Sequence, residues 1–206
     1  MSLTIFIILG TVMASYWAWQ RYDAFEKYTF KPYRVWNNQE YYRFFTSTFL
    51  HVDWMHLFFN MFTFFFFGPM LENYFDMFSD GKGWIYLSVL FLSSMVVSEL
   101  GTLFKYKHDR SYNSLGASGA VSAVLFAGIW FQPTERILVM FIPMPGFAFG
   151  ALYLLYTAYA AKNDLTGRIN HDAHLYGSVW GILFNIICFP QSIGYFFDAL
   201  IRFQIF

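Results

Sequence analysis

Two residues carry the chemistry of this chain. Ser118 sits in Gly116-Ala117-Ser118-Gly119 and His174 in Ala173-His174-Leu175-Tyr176-Gly177, each in or at the edge of a long apolar stretch. Polar and ionisable groups in such places are costly to keep, and function is their best explanation. A serine hydroxyl attacks a carbonyl only when a base takes its proton, and an imidazole in hydrogen-bond reach does this. Ser118 also falls where the polar residues 105–114 give way to an apolar run, which predicts a helix start. Unpaired N–H groups of a first helical turn can face a negative oxygen. The Ser118 amide would be among them. The competing reading is structural, because the small residues Gly116, Ala117, Gly119, Ala120, Ser122 and Ala123 also suit close helix packing.

His56 and Asn60 form a second pair. Spacing i, i+4 turns through about 40°, so both project from one helix face. An imidazole and an amide there are either interhelical glue or donors to an oxyanion. Gly177 and Gly181 follow His174 at i+3 and i+7, and Gly119 and Ala123 form a matching small stripe. The two stripes are expected to meet and to set the Ser118–His174 distance.

Composition says where these residues live. Of 206 residues, 57% are hydrophobic and 13% charged, against about 25% charged in an ordinary soluble domain. That deficit points to an all-α polytopic membrane protein. Net charge is zero, so nucleic acid is not an expected partner. The single Cys188 excludes an intrachain disulfide. Six apolar stretches have roughly the length of a span: residues 2–19, 54–74, 84–104, 115–131, a fifth interrupted by Pro143 and Pro145 that resumes over 146–161, and 171–189. Residues 2–19 read as a retained first span and not a signal peptide, since a basic n-region is missing and bulky Tyr16, Trp17 and Trp19 follow Ala14. Residues 20–50 are too polar to cross and too aromatic for a free linker, which predicts a long interfacial first loop. Residues 193–206 predict an interfacial C-terminal helix, and one domain, 1–206, accounts for the chain.

Taken together, Gly116-x-Ser118-Gly119, His174-x-x-Gly177-x-x-x-Gly181 and His56-x-x-x-Asn60, on the fourth, sixth and second of six stretches, resemble the rhomboid intramembrane serine proteases. Tyr42-Arg43 partly matches a Trp-Arg pair of that family's first loop. The resemblance implies a six-helix bundle with Ser118 as nucleophile and His174 as base. It implies oxyanion stabilisation by His56, Asn60 and the Ser118 amide. It implies transmembrane protein substrates and a gate and cap formed by the fifth span and residues 162–170; no cofactor and no metal are expected. It suggests a bacterial inner (plasma) membrane. Two departures stand out. Many members carry an aromatic four positions after the nucleophile, against which the imidazole stacks; here Ser122 occupies it, so another group, such as a different aromatic, must hold His174. Orientation is the second. With alternating loops, Arg21, Lys27, Lys31, Arg34, Arg43, Lys105, Lys107, Arg110, Lys162 and Arg168 share one side, while Lys82, Arg136 and Arg202 share the other. The positive-inside rule then opposes the family's cytoplasmic N-terminus; we take the family's orientation.

Remaining candidates have plainer readings. His51 is an interfacial, solvated residue or a support for water or loop. His108 is solvated. Glu99 is interfacial or hydrogen-bonded. Metal ligation through His171, His174, His51, Asp53 and His56 is not expected, since no His-Glu-x-x-His occurs. The rival function is a noncatalytic rhomboid-like protein that binds transmembrane helices. The sequence sets no oligomeric state.

Overall fold

A computed structural model describes residues 2–139, 142–163 and 169–204 and is mostly helical. The first helix, α1, is Leu3–Trp19. Three short helices follow, α2 (Tyr22–Tyr28), α3 (Pro32–Asn38) and α4 (Arg43–Thr46), then a single 3-10 turn at Ser47–Phe49. α5 is Trp54–Ser79. α6 (Gly83–Val97) and α7 (Leu100–Tyr106) run on with a turn at Ser98 and Glu99. α8 is Ser118–Phe131. A hairpin, β1 (Arg136–Val139) and β2 (Ile142–Pro145), precedes α9 (Gly146–Asn163), α10 (His171–Cys188) and α11 (Ser192–Ile201).

The bundle buries polar side chains within its apolar core and presents an apolar outside. Thr4, Thr11 and Ser15 of α1 are buried, while Phe6, Leu9 and Met13 of the same helix are exposed. On α5, Asn60 is buried while Phe58, Phe59, Phe62, Phe65 and Phe66 are exposed. So large an apolar surface would drive association in water; hydrocarbon removes the problem. The chain is an integral membrane protein. By length and composition, Trp54–Ser79 (26 residues) and Gly83–Tyr106 (24 residues) can cross a bilayer, and α10 with α11 would make a third span bent by 115°. α1 and α8 are apolar but shorter, at 17 and 14 residues.

α8 sits at the centre, packed by α5, α6, α9, α10 and α11. Its small side chains allow that crowding. The closest neighbour is α10, and the two small-residue stripes do meet. A Cβ added at Gly177 would lie 2.1 Å from the Gly119 carbonyl oxygen, and one at Gly181 would lie 2.1 Å from that of Ala123. One step further, the Asn185 side-chain amide donates to the Ala127 carbonyl at 2.9 Å. Residues 177, 181 and 185 thus climb 119, 123 and 127 in steps of four. At the far end of α8 an aromatic cluster closes the core, with Phe75 stacked on Phe189 at 5.1 Å and Phe78 on Phe131 at 5.4 Å.

The segment between α1 and α5 is fastened by Arg43, which is fully buried. Its guanidinium donates to the carbonyls of Thr29 (2.7 Å) and Glu26 (3.3 Å) and to the Glu40 carboxylate. Arg43 is therefore a poor member of any count of surface cations. Phe30 and Ser114 exchange backbone hydrogen bonds (2.9 and 3.0 Å), which docks this segment on the loop before α8.

Two expected segments gain detail. The fifth apolar stretch splits as the prolines require: α9 starts only at Gly146, and residues before it pair as an antiparallel hairpin, Arg136 opposite Pro145. Pro143 and Pro145 lack the N–H that a helix needs but are tolerated in edge strands. The C-terminal helix packs back on the bundle, with Phe196 stacked 4.3 Å from Trp130 and Trp130 Nε1 donating to Ser192 Oγ at 2.8 Å.

The backbone contact predicts a clear mutational contrast. Gly181→Ala should lower the thermal unfolding midpoint in detergent, with a cost of about 1–3 kcal/mol for overpacking. Gly194→Ala, where nothing lies within 4 Å of the added carbon, should leave the midpoint unchanged or slightly raised.

Candidate active site

Ser118 is the first residue of α8. Ahead of it Gly116 has φ +124°, a conformation that favours glycine. A Cβ there would also lie 2.5 Å from His56 Cε1, so the missing side chain lets the imidazole of α5 reach the turn. The first helical bond of α8 is Val121 N–H to Ala117 C=O at 2.8 Å. The amides of Ser118, Gly119 and Ala120 therefore have no acceptor within the helix.

The turn is pinned from behind. Gly116 N–H donates to the Ser47 carbonyl at 3.0 Å, and Ala117 N–H donates to His51 Nε2 at 3.3 Å. His51 Nδ1 is 3.0 Å from Ser15 Oγ, which donates to the Phe49 carbonyl at 2.9 Å. One proton arrangement satisfies all of these. Nε2 accepts, Nδ1–H donates to Ser15 Oγ, and the serine proton goes to Phe49. His51 is 0% exposed, which corrects the solvated reading and keeps the loop-supporting one. Its ring meets that of His56 edge-on at 4.9 Å.

On α5, Asp53 caps the helix by accepting the His56 N–H at 2.8 Å, which fixes the first turn. Asn60 lies one turn after His56. It is 7% exposed, and its Nδ2 has no hydrogen-bond partner among the described residues. A buried amide donor without an acceptor costs roughly 1–3 kcal/mol.

α10 is positioned by Asn170. Its Oδ1 accepts from the Ala173 amide (3.0 Å) and the Thr102 hydroxyl (2.9 Å), and its Nδ2 donates to Glu99 (3.1 Å) and Ser114 (3.3 Å). Glu99 is buried and hydrogen-bonded, one of its two expected settings. Lys105 ties the same region together, donating to the Ala161 carbonyl at 2.7 Å and to Asp172 at 3.0 Å. The expected cap, residues 162–170, falls largely outside the described residues. One turn into α10, His174 Nδ1 lies 3.1 Å from Tyr153 Oη of α9, and that hydroxyl lies 3.4 Å from Ser122 Oγ. The phenol and imidazole planes are 19° apart, with centroids at 6.3 Å. An aromatic therefore does accompany the imidazole, but from α9. Tyr153 was invisible in the sequence, where it is one of 15 tyrosines.

Ser118, His174, His56 and Asn60 line one cleft of about 1030 Å³. Its lining runs from exposed Asp53 and Asp109 to buried Asn60. No hydrogen bond joins the Ser118 hydroxyl to His174 among the described residues. Gly119 and Gly177 form the close helix contact already described, and Gly116 the turn.

His51 has a consequence for acid stability. Burial first, and the neighbouring His56 second, push it down to about 3 from 6.5. Above pH 6.5 it is neutral whether folded or not. Between 6.5 and 3 the unfolded chain binds a proton that the folded chain refuses, so stability is lost as pH falls, by about 1.4 kcal/mol per unit. His51→Gln should flatten the pH dependence of the unfolding midpoint between pH 6 and 4 by one proton. An unchanged slope would contradict this placement.

Comparison with known proteins agrees with the geometry. The Rhomboid domain family model matches residues 38–191. Rhomboid protein 1, mitochondrial, of Saccharomyces cerevisiae is 31% identical over 148 residues, covering 67% of this chain and 39% of that protein. The human presenilin-associated rhomboid-like protein, mitochondrial, is 30% identical over 139 residues, covering 66% and 35%. The putative rhomboid protease YdcA of Bacillus subtilis is 28% identical over 156 residues, covering 75% and 71%. The chain thus spans well under half the length of the mitochondrial relatives. With three quarters of its residues inside the domain match, and its polar turn, cleft and close helix pair in place, this chain belongs to the rhomboid family.

Proposed function

We propose that the protein is an intramembrane serine endopeptidase that cuts transmembrane or juxtamembrane segments of other membrane proteins. The observation that carries this is the shared cleft: a serine at a helix start, a histidine, and a buried amide donor without an acceptor among the described residues all line it. Family membership adds to the reading, and one relative is itself named a putative rhomboid protease.

The chemistry follows from the residues. Ser118 Oγ bonds to the scissile carbonyl carbon as its proton passes to His174. Negative charge on the carbonyl oxygen is met by Asn60 Nδ2, the His56 imidazole and the Ser118 amide. The C–N bond breaks as His174 returns the proton to the departing amine. Water, deprotonated by His174, then attacks the acyl carbon and frees Ser118. The present lack of a Ser118–His174 hydrogen bond is compatible with this, since such bonds often tighten only with substrate in place.

We also infer six spans, built from α1, α5, α6 with α7, α8, α9, and α10, with α2 to α4 in the interface. α8 supports a sunken site. Its 14 residues reach about 21 Å, short of a hydrocarbon core of about 30 Å. A helix anchored at the far face would therefore begin below the near one. A substrate carbonyl must leave its own helical hydrogen bond to be attacked, so segments with small or helix-breaking residues near the membrane edge are the expected targets. The named relatives are mitochondrial and bacterial alike, so they do not favour a bacterial plasma membrane.

The test uses purified wild type, Ser118→Ala, His174→Ala and Asn60→Ala against a panel of transmembrane substrates in detergent. Wild type should cleave, the first two variants should not, and Asn60→Ala should lose roughly 10²–10³-fold in kcat. A fluorophosphonate should label wild type and not Ser118→Ala. Substrate binding without cleavage by any of the four would favour the noncatalytic reading.

A further inference from the structure

His174 has two ring nitrogens and only one can serve as the base. A neutral imidazole carries its proton on one nitrogen and offers the other as acceptor, and the hydrogen bond made by the first decides which. Among the described residues the nitrogen with a hydrogen-bond partner is Nδ1, 3.1 Å from Tyr153 Oη. The hydroxyl continues to Ser122 Oγ at 3.4 Å. A consistent chain of donors runs from His174 Nδ1–H to Tyr153 Oη, and from Tyr153 Oη–H to Ser122 Oγ. The phenol is itself held. Its ring packs 5.5 Å from Phe126 and 5.6 Å from Phe149, and the Thr157 hydroxyl donates to the Tyr153 carbonyl at 2.9 Å.

We infer that Tyr153 is a positioning residue: its hydroxyl accepts the Nδ1–H of His174 and holds the imidazole in the tautomer whose bare Nε2 can take the Ser118 proton. The inference rests on the proposed protease reading and deepens it. A nucleophile's base is generally oriented by a third group. Here that group is a neutral phenol carried by α9, a different helix from those bearing the nucleophile and the base. When the imidazole becomes positively charged during attack, the same hydrogen bond becomes charge-assisted and stronger. Tyr153 thus favours the protonated intermediate over the resting state. It does so without touching the substrate, so substrate binding should be spared.

Tyr153→Phe removes the hydroxyl and keeps the ring. Its kcat should fall roughly 10- to 100-fold with KM changed by less than about threefold. Phosphonylation of Ser118 by a fluorophosphonate, which needs no peptide substrate, should slow by a similar factor at an unchanged unfolding midpoint. Solution spectra of ¹⁵N-histidine-labelled protein in detergent should show His174 in the Nδ1–H form in wild type and mixed with the Nε2–H form in the variant. Unchanged kcat in an active protein, or loss accompanied by a lowered unfolding midpoint and an intact Nδ1–H form, would overturn the inference. A wild type that neither cleaves nor reacts would overturn the protease reading instead. The tautomer spectra then still decide whether Tyr153 sets the proton position.

Discussion

The backbone-to-backbone contact of α8 and α10 is the constraint on which the site depends. Ser118 opens one helix and His174 lies one turn into the other, and neither side chain can choose its place independently of that contact. Gly177 against the Gly119 carbonyl and Gly181 against that of Ala123 leave no room for a single added carbon. In lipid no hydrophobic force drives helices together, so close packing of small residues and interhelical hydrogen bonds must do it. The Asn185 bond to Ala127 is the third rung of the same ladder. A separation set by backbone atoms is stiff, since a carbonyl cannot rotate away as a side chain can. This suits a chemistry in which an error of 1 Å is costly.

Around this pair the polar groups fall into two sets. One set is bonded inward and braces the loop ends: His51 between Ser15 and Ala117, Asn170 between Glu99 and Thr102, and Arg43 under its carbonyls. In a low-dielectric interior such networks are strong when complete and harmful when broken. Asn60 Nδ2 belongs to the other set, buried beside the cleft with no partner among the described residues. Buried donors of that kind call for an explanation, and an oxyanion formed only during reaction is the one proposed here.

Much of this could be read in the sequence because it depends on residue type at fixed spacing. Gly-xxx-Gly after His174, the small stripe after Ser118, and His56-x-x-x-Asn60 place groups on helix faces by periodicity alone. Pro143 and Pro145 likewise marked the start of α9. What escaped depends on which helices become neighbours. Tyr153 matters because α9 brings it to His174, and nothing in its local sequence separates it from other tyrosines. Asn170 and Glu99 meet across some seventy residues. His51 misled for a related reason. Imidazole near a span end is usually wet, and here Ser15 of α1, His56 of α5 and the turn before α8 all meet its ring. The hairpin before α9 was hidden in an apolar run that resembled part of a span.

The most direct test of the central claim is the structure of the protein carrying a phosphonate covalently attached by a fluorophosphonate. The account predicts phosphorus on Ser118 Oγ, with its free oxygen about 3 Å from both Asn60 Nδ2 and the Ser118 amide and the His174 ring beside the same atom. An adduct on another residue, or a phosphonyl oxygen turned away from Asn60 and out of the cleft, would contradict it.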